Sequence, residues 1–216
     1  MLRIIFLFAT VIFFQSACQL PSLAAGFYET PSGAVLFQDD FSDPSSGWEI
    51  YNHPENGTMD YFDSFFRIHV LGEYQMLSSG TGLDFSDVQI EADMIKVVGK
   101  SDDMFGLVCR AQDAENYYFF VISSDGYYGI GKVIAGVQSM LGSQGMLPSE
   151  IVSQGKTINH LRADCIAEQL VLSVNGLELT TEVDYDLESG DIGILAGTMQ
   201  DAENVVLFDN FSAINP

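Results

Sequence analysis

The sequence predicts an all-β fold, a two-sheet antiparallel sandwich. Apolar residues recur with a period of two, and no stretch after the N-terminal leader holds a helical apolar stripe for three turns. The alternating runs are short, near-regularly spaced and separated by turn residues. With 216 residues, 47% of them apolar, the chain can build one good core. Eight Lys and Arg against 30 Asp and Glu leave a net charge of −22, which excludes a nucleic-acid partner, because phosphate contacts need clustered cations.

The first element is a leader. Arg3 precedes an apolar run, Ile4 to Phe14, followed by Gln15-Ser16-Ala17-Cys18. One positive charge, a short apolar core and small residues before a cut site describe an export signal over residues 1–17, too short to span a bilayer. Ser16-Ala17-Cys18 resembles a bacterial lipobox, with Gln15 where that motif has an aliphatic residue, and makes Cys18 the lipidation site. Cleavage after Ala24 or Ala25 is the alternative, giving a freely secreted protein. In both cases the protein works outside the cytoplasm. Residues 18–34, with Pro21, Pro31, Gly26 and Gly33, read as a tether, and residues 35–216 as one domain. Cys109 and Cys165 then remain in an oxidising compartment, where two buried thiols can pair.

The strands follow in order: Val35–Phe41, Phe65–Leu71, Val88–Val98, Phe105–Ala111, Tyr117–Ser123, Tyr127–Ile134, Ile158–Ile166, Leu170–Val174, Asp191–Ala196 and Val205–Phe211. Asp125-Gly126 is a two-residue hairpin signal. It sets Val121 opposite Ile130, Phe120 opposite Gly131 and Phe119 opposite Lys132. The loop Asp113–Asn116 sets Arg110 opposite Phe119 and Cys109 opposite Phe120. Alternation then gives a core face of Leu107, Cys109, Tyr118, Phe120, Ile122 and Val133, with rings over Gly129 and Gly131. The other face takes Val108, Arg110, Tyr117, Phe119, Val121, Tyr128, Ile130 and Lys132. A turn at Ala167-Glu168 likewise puts Leu161, Ala163, Cys165, Leu170, Leu172 and Val174 on a core face, and His160, Arg162, Asp164 and Ser173 on the other. Cys109 and Cys165 reach core faces by separate arguments, which predicts a disulfide between them. The bridge requires a crossover between sheets in the segment from Ile134 to Ile158; two ordinary buried thiols are the alternative.

The runs Gly106–Asp113 and Asn116–Lys132, with Asn159–Cys165, Val174-Asn-Gly176, Ser189–Gly193 and Phe208-Asp-Asn-Phe211, resemble bacterial extracellular concanavalin A-like sandwich domains. This family is related in fold to laminin G-like modules, 3-keto-disaccharide hydrolase-like domains and laminarinase-type glycosidases. The resemblance covers about Phe37 to Ile214. It implies a jelly roll whose first and last strands are adjacent, where related folds often hold a structural calcium; Asp209 with Asp39 or Asp40 are the candidate ligands, and plain edge-strand acids facing solvent are the alternative. It specifies fold better than activity, since such folds host lectins, hydrolases and adhesion modules.

Motifs for chemistry are incomplete. Gly126-Tyr-Tyr-Gly-Ile-Gly131-Lys132 is followed by Val133, where a phosphate-binding loop needs a hydroxyl, and it lies in a hairpin. Glu91 and Asp93 share a strand face, as in a Glu-x-Asp-x-x-Glu glycosidase strand, but Lys96 holds the third position. Asp184-x-Asp186-x-Glu188 has its Gly one place late for an EF-hand. Trp48, the only tryptophan, reads as a core anchor in preference to a sugar platform.

The rare cations are more telling. Arg110, Lys132 and Arg162 are expected on the non-core face beside Tyr117, Phe119 and Tyr128, a groove where rings stack on sugars and cations bond hydroxyls or a carboxylate. The competing expectation is internal balance, with Arg110 over Phe119, Arg162 against Asp164 and Lys132 against a neighbouring acid. The reading is therefore a surface-anchored glycan-binding module without catalysis, its partner a polysaccharide or glycoconjugate and its membrane contact the lipid alone. The rivals are a glycosidase or keto-sugar hydrolase using Glu91, Asp93 or Asp164, and an adhesion or envelope module whose partner is a protein.

Overall fold

A computed structural model describes residues 30–216; the predicted export signal and Cys18 lie outside the described residues. The described residues form sixteen strands: β1 (Val35–Asp39), β2 (Tyr51–His53), β3 (Gly57–Phe62), β4 (Phe65–Val70), β5 (Met76–Gly80), β6 (Val88–Val98), β7 (Met104–Asp113), β8 (Asn116–Ser123), β9 (Tyr127–Ile134), β10 (Val137–Met140), β11 (Leu147–Pro148), β12 (Asn159–Ile166), β13 (Gln169–Val174), β14 (Leu177–Val183), β15 (Asp191–Gly197) and β16 (Asn204–Ile214). They make a two-sheet antiparallel jelly-roll sandwich. The nine-stranded sheet runs β14-β13-β12-β6-β16-β4-β3-β2, with β1 also on β16; the seven-stranded sheet runs β10-β9-β8-β7-β15-β5, with β11 also on β9. First and last strands are adjacent, Asp39 lying opposite Phe211. Upstream of β1, Gly33 N–H donates to the Asn215 carbonyl and Asn215 Nδ2 to that of Thr30, so this end of the predicted tether is fastened to the C-terminus.

Alternation buries one face of each sheet. In β6, Val88, Ile90, Ala92 and Met94 point inward, meeting Leu107, Phe120 and Ile194 from the other sheet. Trp48 is a core anchor, its ring edge-on to Phe211 and Phe41 and its Nε1 donating to Asp39 at 2.8 Å. The β12–β13 pairing agrees with expectation, Ile166 lying opposite Gln169 across the Ala167-Glu168 turn.

Cys109 and Cys165 are bonded across the two sheets, 56 residues apart in sequence. The required crossover is present, since the chain leaves the seven-stranded sheet after β11 and enters the nine-stranded one at β12. Their Cα atoms stand 6.8 Å apart, where facing sheets ordinarily lie about 10 Å apart, so the sandwich is narrow here.

Two registers differ from the expectation. In β8–β9, Phe120 faces Ile130 and Phe119 faces Gly131, one residue from the predicted pairing. The turn closes on Ser123, whose carbonyl accepts from Gly126 N–H, with Gly126 in the left-handed region (φ 96°), so the loop holds one residue more than a two-residue turn. A one-residue slip exchanges the faces of a strand. Tyr128 and Ile130 therefore pack into the core and Lys132 points inward at the sheet edge, while Val133 lies outside.

In β7–β8 the tip follows expectation, with Asp113 opposite Asn116, but a bulge at Arg110–Gln112 then brings Cys109 opposite Tyr118 and not Phe120. Core residues keep their faces because the shift is two. Arg110, in the bulge with φ 53°, is turned away from the outer face.

Candidate functional site

The six residues expected to line one groove fall in separate places. Arg110 closes the narrow end of the sandwich, buried, its Nε donating to the Ser86 carbonyl and its Nη1 to the Leu187 carbonyl, both at 3.0 Å. Lys132 holds the same loop from the other side, bonding Asp184 and, at 2.7 Å, Asp186. Between them the Tyr118 hydroxyl donates to Asp184 at 2.6 Å and accepts from the N–H groups of Asp186 and Leu187. Asp184 and Asp186 are thus the anchor of a loop latch. Tyr128 reaches across to the Leu179 carbonyl. Arg162 sits on the outer face of the nine-stranded sheet, forked onto Asp164 at 2.7 and 2.8 Å. The balance expected for Lys132 and Arg162 is therefore what forms, while Arg110 bonds carbonyls and does not cover Phe119.

Of the six, only Tyr117 and Phe119 occupy the outer face of the seven-stranded sheet, and Phe119 is sealed in. Its ring lies over Gly131, where an added Cβ would stand 2.2 Å from the ring. Met140 and Met146, from the segment after β9, complete a small second core with Val108, Val121 and Leu195. The expected groove is closed at its centre.

It opens at the end of this face, where β5, β15 and the β7–β8 hairpin meet β2. The cavity there measures about 480 Å³ and is lined by Tyr51, Met59, Met76, Ser78, Val108, Gln112, Asp113, Tyr117, Asp191 and Glu49, among others. It shares Ala111, Gln112 and Asp191 with a neighbouring hollow of about 470 Å³ under Gly82–Asp84 and Ser189–Gly190. Asp191 is framework. Its carboxylate accepts from the N–H groups of Thr81, Gly82, Leu83 and Ile192 and from the Thr81 hydroxyl, binding the loop after β5 to β15. Gly80 makes room for it, since a Cβ there would stand 2.1 Å from Asp191 Oδ2. Tyr117 is mostly buried, and burial pushes its hydroxyl pKa up. Tyr51 presents a ring whose hydroxyl accepts from Asn56. Tyr51 and Met76 lie on the short edge strands β2 and β5, and Met59 on the six-residue β3 beside β2, runs too short and too polar for the alternation to mark; the run Ser78-Ser79-Gly80-Thr81-Gly82, dense in small turn residues, is the signal available.

The carboxylates considered for catalysis are on the outer face of the nine-stranded sheet and each has a partner. His160 Nδ1 meets Asp93 at 2.8 Å and its Nε2 lies 3.6 Å from Glu91; Asn210 Nδ2 donates to Asp93 and Gln89 Nε2 to Glu91. Of the acids considered for calcium, Asp39 bonds Trp48 and Ser46, and Asp40 is held by the hydroxyl and N–H of Ser42, which lower its pKa. Burial, then the charges of Asp93 and Asp40, push Asp209 up. Among the described residues no three His, Cys, Asp or Glu side chains are grouped to hold a metal ion. A calcium ion, which takes six to eight oxygens, would here draw most of them from backbone carbonyls and water.

No family model and no curated protein sequence matches the chain. Solved structures do. The carbohydrate-binding module CBM66 of Bacillus subtilis superposes with a TM-score of 0.62 at 17% identity, over 78% of this chain and 96% of that one. A Bacillus subtilis protein of unknown function with a galectin-like fold gives 0.61 at 13%, over 86% and 97%. The fold is a galectin-like jelly roll. A xylan β-1,4-xylosidase of Bacillus halodurans also matches, at 0.59 and 14% identity, over 87% of this chain but only 40% of the enzyme.

Proposed function

We propose that the protein is an exported, surface-anchored module that binds a polysaccharide or glycoconjugate without chemistry, and that the ligand lies in the groove between β2, β5, β15 and the β7–β8 hairpin. The observation that carries the reading is this groove itself, with the half-buried Tyr51 ring beside Ser78, Gln112 and Asp113 and the buried Tyr117 beneath them. Aromatic faces take the apolar face of a pyranose, and the amide, hydroxyl and carboxylate groups bond its hydroxyls. The fold likeness to a carbohydrate-binding module and to part of a xylosidase supports the reading at the level of fold. His160 bridges Asp93 and Glu91, and Arg162 is forked onto Asp164, pairings that support a reading in which these carboxylates are structural. Anchoring through lipidated Cys18 belongs to the same proposal, as does a stabilising calcium beside Asp40 and Asp209.

A glycan array probed with the purified protein tests the function. Binding without release of reducing sugar is expected, and Tyr51→Ala should weaken it about tenfold, equivalent to about 1.4 kcal/mol. Turnover of a bound glycan would favour a hydrolase; silence on every glycan would favour a protein partner.

A further inference from the structure

We infer that the groove selects uncharged glycans and rejects those bearing carboxylate or sulfate, an inference that rests on the proposed glycan-binding reading. The lining contains Glu49, Asp113 and Asp191 and not one Lys, Arg or His. Asp191 is saturated by backbone and hydroxyl donors, but Glu49 is an exposed residue of the lining whose carboxylate makes no hydrogen bond among the described residues, and Asp113 has only one oxygen occupied, by Glu115 N–H and Asn116.

Every Lys and Arg among the described residues is placed elsewhere. Arg110, one residue from the groove's Ala111, turns to the opposite side, onto the carbonyls of Ser86 and Leu187. Lys132 is spent on Asp184 and Asp186, Arg162 on Asp164, Arg67 on Asp60, and Lys100 lies against Asp201. Lys96 is buried at the other end of the sandwich, its Nζ without a hydrogen-bond partner, among Asp102, Asp103 and Asp125. Lys156 lies in the loop that packs by the β8–β9 turn, at the far end of β8 from the groove.

An anionic sugar would therefore meet two carboxylates and no counter-charge, within a molecule of net charge −22. One ligand carboxylate about 4 Å from one groove carboxylate loses roughly fivefold in affinity even at water's dielectric, and the groove presents two. Hydroxyls suffer no such loss, since carboxylates accept their hydrogen bonds.

The test uses neutral gluco-, manno- and galacto-hexasaccharides, each paired with its derivative oxidised at C6 to the uronate, titrated calorimetrically against the purified protein. The neutral member of the binding pair should bind at least tenfold more tightly at 20 mM salt, and the ratio should shrink at 0.5 M salt as charges are screened. Glu49→Gln should raise the affinity for the uronate relative to its neutral partner. Equal or tighter binding of the uronate would overturn the charge selection and leave glycan binding standing. If no hexasaccharide of either kind binds, the glycan reading of the groove falls, and the selectivity with it.

Discussion

Breaking the bond between Cys109 and Cys165 should be among the most destabilising changes available in this protein. The bridge closes a loop of 56 residues, and the loop-closure entropy of a chain that long amounts to about 4 kcal/mol. The loop contains β8 to β11, half of β7 and most of β12, so without the bond the unfolded chain regains the freedom of that whole segment. For a domain of this size each kcal/mol moves the melting temperature by about 2–4 °C, which places the expected drop at roughly 8–16 °C. The measurement compares urea and thermal unfolding of oxidised protein, protein reduced with dithiothreitol, and Cys109→Ala/Cys165→Ala, all in a Cys18→Ser background. Reduction leaves both sulfur atoms in the core and isolates the covalent link. The alanine pair adds the packing loss of two side chains with no exposed surface. Ellman titration of the unfolded, unreduced protein should find no free thiol. Two free thiols, or a melting temperature that reduction leaves within 2 °C, would refute the reasoning.

Arg110→Met should cost about 3 kcal/mol in urea unfolding, because the Leu187 carbonyl loses its donor in a buried place and the Ser86 carbonyl in a partly buried one; a loss below about 1 kcal/mol would mean that water replaces the guanidinium. The Tyr118 hydroxyl is pushed up to about 12, first by burial and then by its bond to Asp184. The unfolded phenol ionises near pH 10, so the stability from this group is complete below pH 10 and is lost as pH rises through about 12. Tyr118→Phe should flatten that alkaline slope, and an unchanged slope would contradict it. Asp209 is likewise raised, so its ionised form burdens the folded state at neutral pH, with stability lost as pH climbs through its folded value. Asp209→Asn should melt a few degrees higher than wild type in chelator, and calcium should raise the wild type and not the variant; a wild type indifferent to calcium would count against an ion there.

Much of the fold was legible because burying one face of a strand imposes a period of two on the sequence. β6 and β9 begin and end where the alternation does, at Val88–Val98 and Tyr127–Ile134. The β12–β13 hairpin has a two-residue turn and no bulge, so its register and both faces were readable. The disulfide was legible because both cysteines sit on core faces that survive a shift of two. The alternation does not mark β2, β3, β5, β10, β11 and β14, which are mostly short, at or near sheet edges and with polar residues on the apolar side; one side of the groove comes from β5, with Tyr51 of β2 and Met59 of β3.

The class of fold, the central strands and the placement of both cysteines on core faces were thus determined by the sequence alone; the crossover that lets them bond is tertiary. What only the tertiary structure decided is where the few cations and rings end up. Asp125-Gly126 is compatible with a two-residue turn and with a longer one, and the choice reverses the faces of Tyr128, Ile130 and Lys132. Arg110–Gln112 is compatible with a plain strand and with a bulge, and the choice moves Arg110 from the outer face to the end of the core. Local propensity barely separates these alternatives; packing Ile130 inside and satisfying the carbonyls of Ser86 and Leu187 does, and both depend on segments far away in the chain.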